Sequence, residues 1–218
     1  MARPFDRSPD LPAVGALDKA AGQFWVGNPW DIVGHQHNLS GFERNRAFLN
    51  LGAGRFADIS YLTRTDSDGD GRSVLGADLN GDGMQDLVVR QAGGGPLLVF
   101  LNRFPQKHYL QVSLRGTRSN SLGVGARLIA EVGGHRLVRE MFPANTYMSQ
   151  QPCEIHFGLG DATQVDRLRI RWPSGLVQEL TDLKADQHIR VTEGKGVDVV
   201  RAGGTASHIP ASATLTKP

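Results

Sequence analysis

The sequence predicts an all-β protein, and three observations lead to this prediction. Apolar and polar residues alternate in many short stretches, most clearly from His108 onward, as they do in half-buried strands. Glycine is abundant, with 27 residues, which is typical of the tight turns between short strands. No stretch has the apolar spacing of a convincing amphipathic helix. A chain of this kind is expected to form a β-sandwich or a barrel.

The composition bounds the size and the class of the protein. A chain of 218 residues is long enough for one large or two small domains. Its 24 basic and 22 acidic residues nearly balance, and no basic run alternates with aromatic residues. The sequence therefore gives no indication of a surface for nucleic acid or anionic membrane. The single Cys153 excludes an intrachain disulfide framework, and no apolar run is long enough for a transmembrane helix.

The first part of the chain divides into an irregular extension and a short β unit. Residues 1–44 are rich in Pro, Gly and Asn, and we expect them to pack on the rest through scattered aromatic side chains. From 45 to 103 the pattern is that of strands and glycine turns, beginning with strand, turn and strand over Arg46–Ser60. The aromatic residues of the extension are Phe24, Trp25 and Trp30.

The second part, residues 104–195, predicts a β-sandwich domain. Short strands recur at intervals of roughly 8 to 12 residues, with Gly, Pro or Asp between them, as in sandwich folds. From residue 196 to 218 the strand pattern is lost, and we expect a tail that is mobile at its end. The predicted strand sequences are HYLQVSLRG, ARLIAEV, HRLVREMF, EIHFGLG, VDRLRIRW, LVQEL and QHIRVTE.

The stretch Gly76–Val89 concentrates oxygen-bearing side chains at the entrance to a predicted strand. Counted from Asp78 as position one, such side chains fall at positions one, three, five and nine, and glycine falls at position six. Hard oxygen ligands at these steps suit Ca²⁺ better than Mg²⁺, which prefers a stricter octahedron. An EF-hand would need glutamate at position twelve and flanking helices, whereas this loop has Val89 and strands. The predicted ligands are Asp78, Asn80, Asp82, Met84 through its carbonyl oxygen, and Asp86.

Two alternatives to this single calcium site stay open. The first is a turn rich in Asp, Asn and Gly that holds no metal. The second involves the preceding stretch DSDGDG, which resembles another such loop but has Arg72 and Val74 where the closing ligands should be. We therefore favour a solvated turn there over a second cation site or a partial share in the first. The acidic residues of that stretch are Asp66, Asp68 and Asp70.

The search for catalytic residues gives no recognisable constellation. Ser174 lies in the turn sequence WPSG, where Trp172 is expected to end a strand and pack on the core. His35 and His37 would share one face of an extended chain and offer two imidazoles to a transition metal, but no third ligand is identifiable nearby. The polar cluster Arg118–Asn120 would either bind a carboxylate or sugar hydroxyls, or brace the following turn, and we favour bracing.

These motifs carry a family resemblance. FLNLGAGRFADIS, followed by DGRSVLGADLNGDGMQDLVV and LLVFLN, resembles an FG-GAP/VCBS-type repeat, the calcium-bearing unit of integrin-like β-propellers. Phe104–Gly194 resembles the ASPIC/UnbV domain through YLQVSLRGTRSNSLGVGARL, HFGLG, VDRLRIRWPSG and HIRVTEG. The two modules occur together in the family of cartilage acidic protein and its bacterial homologues, some of them associated with enediyne biosynthesis. The resemblance implies an all-β chain in which a partial propeller blade precedes a sandwich.

The resemblance also sets the functional expectation. It implies a non-catalytic, calcium-binding module of the binding or adhesion type, with a protein or glycan partner. The alternative is an enzyme or accessory protein in secondary-metabolite or glycan metabolism. The resemblance implies a secreted, periplasmic or cell-surface location. The N-terminal residues make a poor signal peptide, so we expect either an intracellular protein or an export signal outside this chain.

Overall fold

The computed structural model describes residues 44–69, 71–91, 96–144 and 149–202. Within these ranges the chain forms strands, turns and irregular segments, and no helix. The predicted all-β fold is therefore confirmed. None of the described segments provides a helix with the length and apolar character needed to cross a bilayer.

The first two strands form the predicted strand–turn–strand hairpin. β1 (Phe48–Gly52) pairs antiparallel with β2 (Arg55–Asp58). The turn between them needs left-handed backbone at Ala53 (φ 51°) and Gly54 (φ 73°), and glycine adopts this conformation without a steric cost. The sequence GAG therefore specifies the reversal of the chain.

Three further strands form the sheet that carries the acidic loop. β3 (Gly71–Ala77), β4 (Asp86–Gln91) and β5 (Leu98–Phe100) form one sheet in the order β3-β4-β5. The acidic loop occupies the connection between β3 and β4, as the sequence predicts. Residues 92–95, between β4 and β5, lie outside the described ranges.

The second half of the chain is a sandwich of two four-stranded sheets. One sheet has the order β11-β10-β7-β8 and the other has the order β13-β12-β6-β9. Most neighbouring strands pair antiparallel, but β12 and β6 pair parallel. The strands are β6 (His108–Arg115), β7 (Arg127–Val132), β8 (His135–Glu140), β9 (Glu154–Gly160), β10 (Gln164–Arg171), β11 (Val177–Lys184), β12 (Gln187–Thr192) and β13 (Val197–Ala202).

The core lies between the two sheets and follows from the alternation in the sequence. Because successive side chains on a strand point to opposite faces, every second residue of β6, β7 and β9 faces the core, as do Leu168 and Ile170 in the second half of β10. Trp172 directly follows β10 and is buried in the core, as predicted, and its indole N–H donates to Gln178 Oε1. The largest core side chains are Trp172, Phe157, Leu110, Leu128, Met141, Leu168, Ile170 and Ile189.

The tail prediction is wrong in part. Val197–Ala202 form β13, whereas the sequence analysis assigns residues 196–218 to a tail without strands. All six residues of β13 are exposed, so the strand has no buried face. Backbone pairing with β12 holds it at the edge of the sheet. Residues 203–218 lie outside the described ranges.

The described residues form two compact units. One contains the described residues up to Ser73 and those between Val89 and Leu98, and the other contains Val74–Val88 and the described residues from Val99 onward. The acidic loop therefore belongs to the same unit as the sandwich strands. The boundaries predicted from sequence, 45–103 and 104–195, stay predictions.

Candidate functional site

Asp86, the last predicted ligand of the acidic loop, is fully buried at the start of β4. One carboxylate oxygen, Oδ1, accepts the backbone N–H of Asn102 at 2.7 Å. The other, Oδ2, accepts the backbone N–H of Leu79 at 2.9 Å. Both oxygens of this buried side chain are thus satisfied by backbone donors. Asp86 ties the start of the loop to the segment that follows β5.

Asp78, the first predicted ligand, gathers the turn around itself. Its side chain is only 3% exposed. Oδ1 accepts the backbone N–H of Gly81 at 2.7 Å, and Oδ2 accepts that of Gly83 at 3.1 Å. The guanidinium of Arg201 on β13 also lies 3.1 Å from Oδ2. Asp78 therefore shapes the loop locally and also connects it to the edge strand of the sandwich.

Asn80 and Asp82 face each other at the tip of the loop. The Asn80 side-chain amide donates to Asp82 Oδ2 at 2.7 Å, and the Asp82 backbone N–H donates to Asn80 Oδ1 at 3.1 Å. Asp82 Oδ1 accepts the backbone N–H of Met84 at 2.7 Å. Such side chain–backbone bonds two residues apart are the Asx turns that Asp and Asn favour.

Gly83 anchors the loop on the outer face of the β6–β9 sheet. Its φ of 86° is left-handed, and a Cβ at this position would overlap the ring of Tyr109. The Gly83 carbonyl lies 2.8 Å from His156 Nε2, so this ring nitrogen must carry the proton and donate. The rings of Tyr109 and His156 stack with their centroids 5.7 Å apart. Burial lowers the pKa of His156, which favours the neutral form of this ring.

The residues of the loop suit a hard cation in their chemistry. Within a nine-residue stretch they supply three carboxylates and a carboxamide oxygen, the donor types that Ca²⁺ prefers. In the described parts of the chain, however, no three His, Cys, Asp or Glu side chains converge on a point where they would hold a metal ion. The Asn80–Asp82 pair and the backbone donors engage the oxygens instead.

The preceding acidic stretch is only partly described. Arg44 contacts Asp66 at 2.8 Å in an exposed ion pair, and Ser67 accepts the side-chain amide of Gln91 at 2.8 Å. Asp70 lies outside the described ranges, as do His35 and His37. The preference for a solvated turn over a second cation site stays a prediction, and so does the transition-metal hypothesis for the two histidines.

The polar cluster after β6 surrounds a buried carboxylate that the sequence analysis did not single out. Glu193 is 1% exposed, and its Oε2 accepts the backbone N–H groups of Thr117, Arg118 and Ser119 at 2.7–2.8 Å. Its Oε1 accepts the hydroxyl groups of Ser119 and Ser174. The arrangement closes the loop after β6 onto the turn after β10.

These contacts explain the ionisation of Glu193 and the role of the cluster. Burial alone would raise the pKa of Glu193, but the hydrogen bonds from Ser119, Ser174, Arg118 and Thr117 outweigh it and hold the pKa well below its ordinary value of 4.5. Asn120 braces the turn separately, because its side chain both donates to and accepts from the backbone of Val124 at 2.8 Å. The geometry therefore agrees with bracing for Ser119 and Asn120.

Ser174 has the geometry of a structural hydroxyl. Its Oγ donates to the Glu193 carboxylate, and its backbone N–H donates to Ser119 Oγ at 3.1 Å. A serine nucleophile needs a base that can take its proton and transfer it onward. A carboxylate whose pKa is held this low is a poor base, so the contact holds the turn together.

Comparison with known families identifies both modules of the chain. Residues 30–89 match the FG-GAP-like repeat, and residues 116–198 match the family ASPIC and UnbV. The chain therefore contains an FG-GAP-like repeat followed by an ASPIC/UnbV domain. The first match ends at Val89, so the acidic loop belongs to the FG-GAP-like repeat. No curated protein matches the chain.

The ASPIC/UnbV match contains the whole Glu193 cluster. Thr117–Asn120, Ser174 and Glu193 all fall within residues 116–198. This glutamate stands near the end of the last motif, in VTEG, but the motif gives no sign of its partners. The partners Thr117 to Ser119 lie 74 to 76 positions earlier along the chain, and no local pattern encodes contacts over that distance. Arg201 was missed for the same reason, since it reaches Asp78 across 123 positions.

Proposed function

We propose that the protein is a non-catalytic, calcium-binding β-protein of the binding or adhesion type, in which Ca²⁺ stabilises the acidic loop. The observation that carries the proposal is the imbalance of charge around that loop. Asp78 and Asp86 are almost fully buried and Asp82 is half-buried. Among the described residues, Arg201 is the one cation in an ion pair with them. Within the described part of the chain, three carboxylates against this guanidinium leave an excess of negative charge that a divalent cation would neutralise.

The attachment of the loop supports a stabilising role for the ion. Asp86, at the end of the loop, holds the start of the loop through Leu79 and the segment after β5 through Asn102. Gly83 packs against Tyr109 and its carbonyl accepts from His156. A loop held at these points has little freedom to lose when a ligand binds, so the entropic cost of ordering it is small. The ligands in this proposal are Asp78, Asn80, Asp82, Asp86 and the carbonyl oxygen of Met84.

The ion would supply charge neutralisation and crosslinking in this site. The carboxylates of Asp78 and Asp82 already organise the backbone of the turn through Gly81, Gly83 and Met84. Asn80 and Asp82 would have to exchange their mutual hydrogen bond for the ion. Because the loop contacts the sandwich sheet, its rigidity would determine the surface that the protein presents to a partner.

The non-catalytic part of the proposal is supported by the polar groups of the sandwich. The hydroxyl groups of Ser174 and Ser119 donate to Glu193, and the Ser113 hydroxyl donates to the backbone carbonyl of Ile189 at 3.4 Å, so these serines are engaged in bonds that hold the fold. The enzymatic alternative relies on His35 and His37, which lie outside the described ranges. The proposed partner is a protein or a glycan. The proposed location is the secreted, periplasmic or cell-surface compartment that the family resemblance implies.

Metal analysis and thermal unfolding test the calcium proposal together. The purified full chain is dialysed against CaCl₂, analysed for bound metals, and melted in excess Ca²⁺, in excess Mg²⁺ and in EGTA. We expect about one Ca²⁺ per chain and a melting temperature several degrees higher in Ca²⁺, since a ligand at 100 times its Kd stabilises by about 2.7 kcal/mol. Equal melts in Ca²⁺ and EGTA would refute the proposal, and bound zinc, copper or iron would favour the enzymatic alternative.

A further inference from the structure

A polar cavity opens at the start of β6, within the unit that contains the sandwich and the acidic loop. Its volume is about 340 Å³, which is in the range of pockets for small organic ligands. The sequence does not predict this site, because the walls of the cavity come from three separate parts of the chain. The lining residues are Gln106, Lys107, His108, Gly160, Asp161 and Asp186.

His108 and Asp186 form an oriented pair in the wall of this cavity. His108 Nδ1 lies 2.6 Å from Asp186 Oδ2. Asp186 is fixed in turn by Tyr109, which accepts its backbone N–H at 2.7 Å and donates to Oδ1 at 3.3 Å. The backbone of Asp186 has a left-handed φ of 56°, a conformation that few residues other than glycine adopt. Because Nδ1 donates to the carboxylate, Nε2 is the nitrogen left to interact with a ligand.

The charged groups of the cavity are each hydrogen-bonded within its own walls. Lys107 Nζ lies 2.6 Å from Asp161 Oδ1, and the Asp186 carboxylate accepts the Nδ1–H of His108. A charged ligand would have to separate one of these pairs to find a counter-charge. A neutral hydroxyl group both donates and accepts, so it can join either pair without breaking it. None of the six lining residues offers a hydroxyl or thiol nucleophile, which favours binding over covalent chemistry.

The cavity is also connected to the acidic loop. The side-chain amide of Gln106, a lining residue, donates to the backbone carbonyl of Asp82 at 2.9 Å. Tyr109, which follows His108 in β6 and holds Asp186, packs against Gly83 of the loop. The position of the loop therefore affects two groups that shape the cavity wall.

We infer that this cavity binds a neutral polyhydroxylated ligand, such as a single sugar residue of a glycan, and that an ordered acidic loop strengthens the binding. The inference rests on the proposed function for its calcium dependence and names the ligand class of the binding module. Lys107 and Gln106 donate to ligand hydroxyls, His108 Nε2 accepts from them, and Asp161 and Asp186 keep these groups in place.

Ligand-observed saturation-transfer NMR on the full chain tests the inference. The neutral probes are the methyl glycosides of glucose, galactose and mannose together with N-acetylglucosamine, and the charged probes are glucuronic acid and glucosamine. Each probe is measured in Ca²⁺ and in EGTA. We expect transfer from at least one neutral probe, stronger in Ca²⁺, and weaker transfer from the charged probes.

Two variants and a control assign the binding to the cavity. His108→Ala should weaken the binding of the best neutral probe about tenfold, which is the effect of losing one or two hydrogen bonds. Lys107→Met leaves Asp161 without its partner, and it should shift preference towards glucosamine. His135→Ala removes an exposed histidine at the start of β8 and should leave binding unchanged. Melting temperatures of all three variants verify that they fold.

The outcomes separate this inference from the proposed function. Bound Ca²⁺ without transfer from any saccharide would overturn the inference and leave the calcium proposal intact. If the protein takes up no Ca²⁺ in the metal analysis and yet binds a saccharide in a way that depends on His108, the cavity inference is supported and the calcium proposal is refuted. Tighter binding of glucuronic acid than of every neutral probe, or binding that His108→Ala leaves unchanged, would overturn the inference.

Discussion

Asp86 Oδ1 accepts the backbone N–H of Asn102 at 2.7 Å, and this contact joins the start of β4 to the chain that follows β5. The same carboxylate accepts the N–H of Leu79 through its other oxygen. Since Asp86 is fully buried, both amides depend on it for their hydrogen bonds. One side chain therefore holds three points of the chain together even before any ion is considered.

Asp86→Ala should destabilise the protein by about 2–4 kcal/mol, because two amide N–H groups lose their acceptor. Chemical denaturation in EGTA measures this effect without a contribution from calcium. Asp198→Ala, which removes an exposed aspartate from β13, is the matched control and should cost about 0.5 kcal/mol or less. Equal stability of the two variants would contradict the structural role assigned to Asp86.

Glu193 should make stability depend on pH. Its pKa lies below the ordinary 4.5, so its contribution is fully present above pH 4.5 and is lost progressively as the pH falls below that value. Glu193→Gln should lower the melting temperature at pH 7 by roughly 5 °C or more, because an amide NH₂ then faces backbone N–H donors.

The comparison of wild type and Glu193→Gln across pH isolates this effect from other carboxylates. The difference between their melting temperatures should be constant from pH 5 to pH 7 and should shrink from about pH 4.5 downward. A difference that stays constant down to pH 2.5 would mean that hydrogen bonding to the charged form does not stabilise the fold.

Gly83→Ala should destabilise the protein by about 2–4 kcal/mol, through the left-handed φ and the overlap with Tyr109 together. Gly134→Ala is the matched control, since Gly134 has a φ of 81° and nothing within 4 Å of a built Cβ. The control should lower the free energy of unfolding by about 1 kcal/mol, since it carries only the cost of an alanine at a left-handed φ. Equal unfolding free energies for the two variants would show that the loop does not rest on Tyr109.

Asp82→Ala should remove most of the calcium response that we propose. The variant loses one charged ligand, so calorimetric titration should give a Kd for Ca²⁺ at least about tenfold weaker than wild type. In EGTA its melting temperature should lie close to that of wild type, because the hydrogen bonds described for the Asp82 side chain lie within its own turn and the carbonyl that Gln106 contacts is unchanged. Asp198→Ala should bind Ca²⁺ as wild type does, and the same Kd for both variants would exclude Asp82 as a ligand.

Local patterns carried much of the fold. Alternation predicted β6 to β12, and the sequence GAG predicted the β1–β2 turn, because side-chain direction and glycine φ are properties of a few adjacent residues. β13 escaped prediction since it is exposed along its whole length and is defined by pairing with β12. The strand propensity of its residues does not predict a strand that forms by pairing with the free edge of an existing sheet.

By itself the sequence determined the all-β class, the two modules and the acidic loop, since each is written in residues that are close together along the chain. Only the tertiary structure decided that Glu193 closes onto Thr117–Ser119, that Arg201 reaches Asp78, and that His108 meets Asp186. These pairs lie 74 to 123 positions apart. Such contacts form when the sheets pack. Burial of the core brings polar groups from distant parts of the chain together, and these groups then form hydrogen bonds with one another.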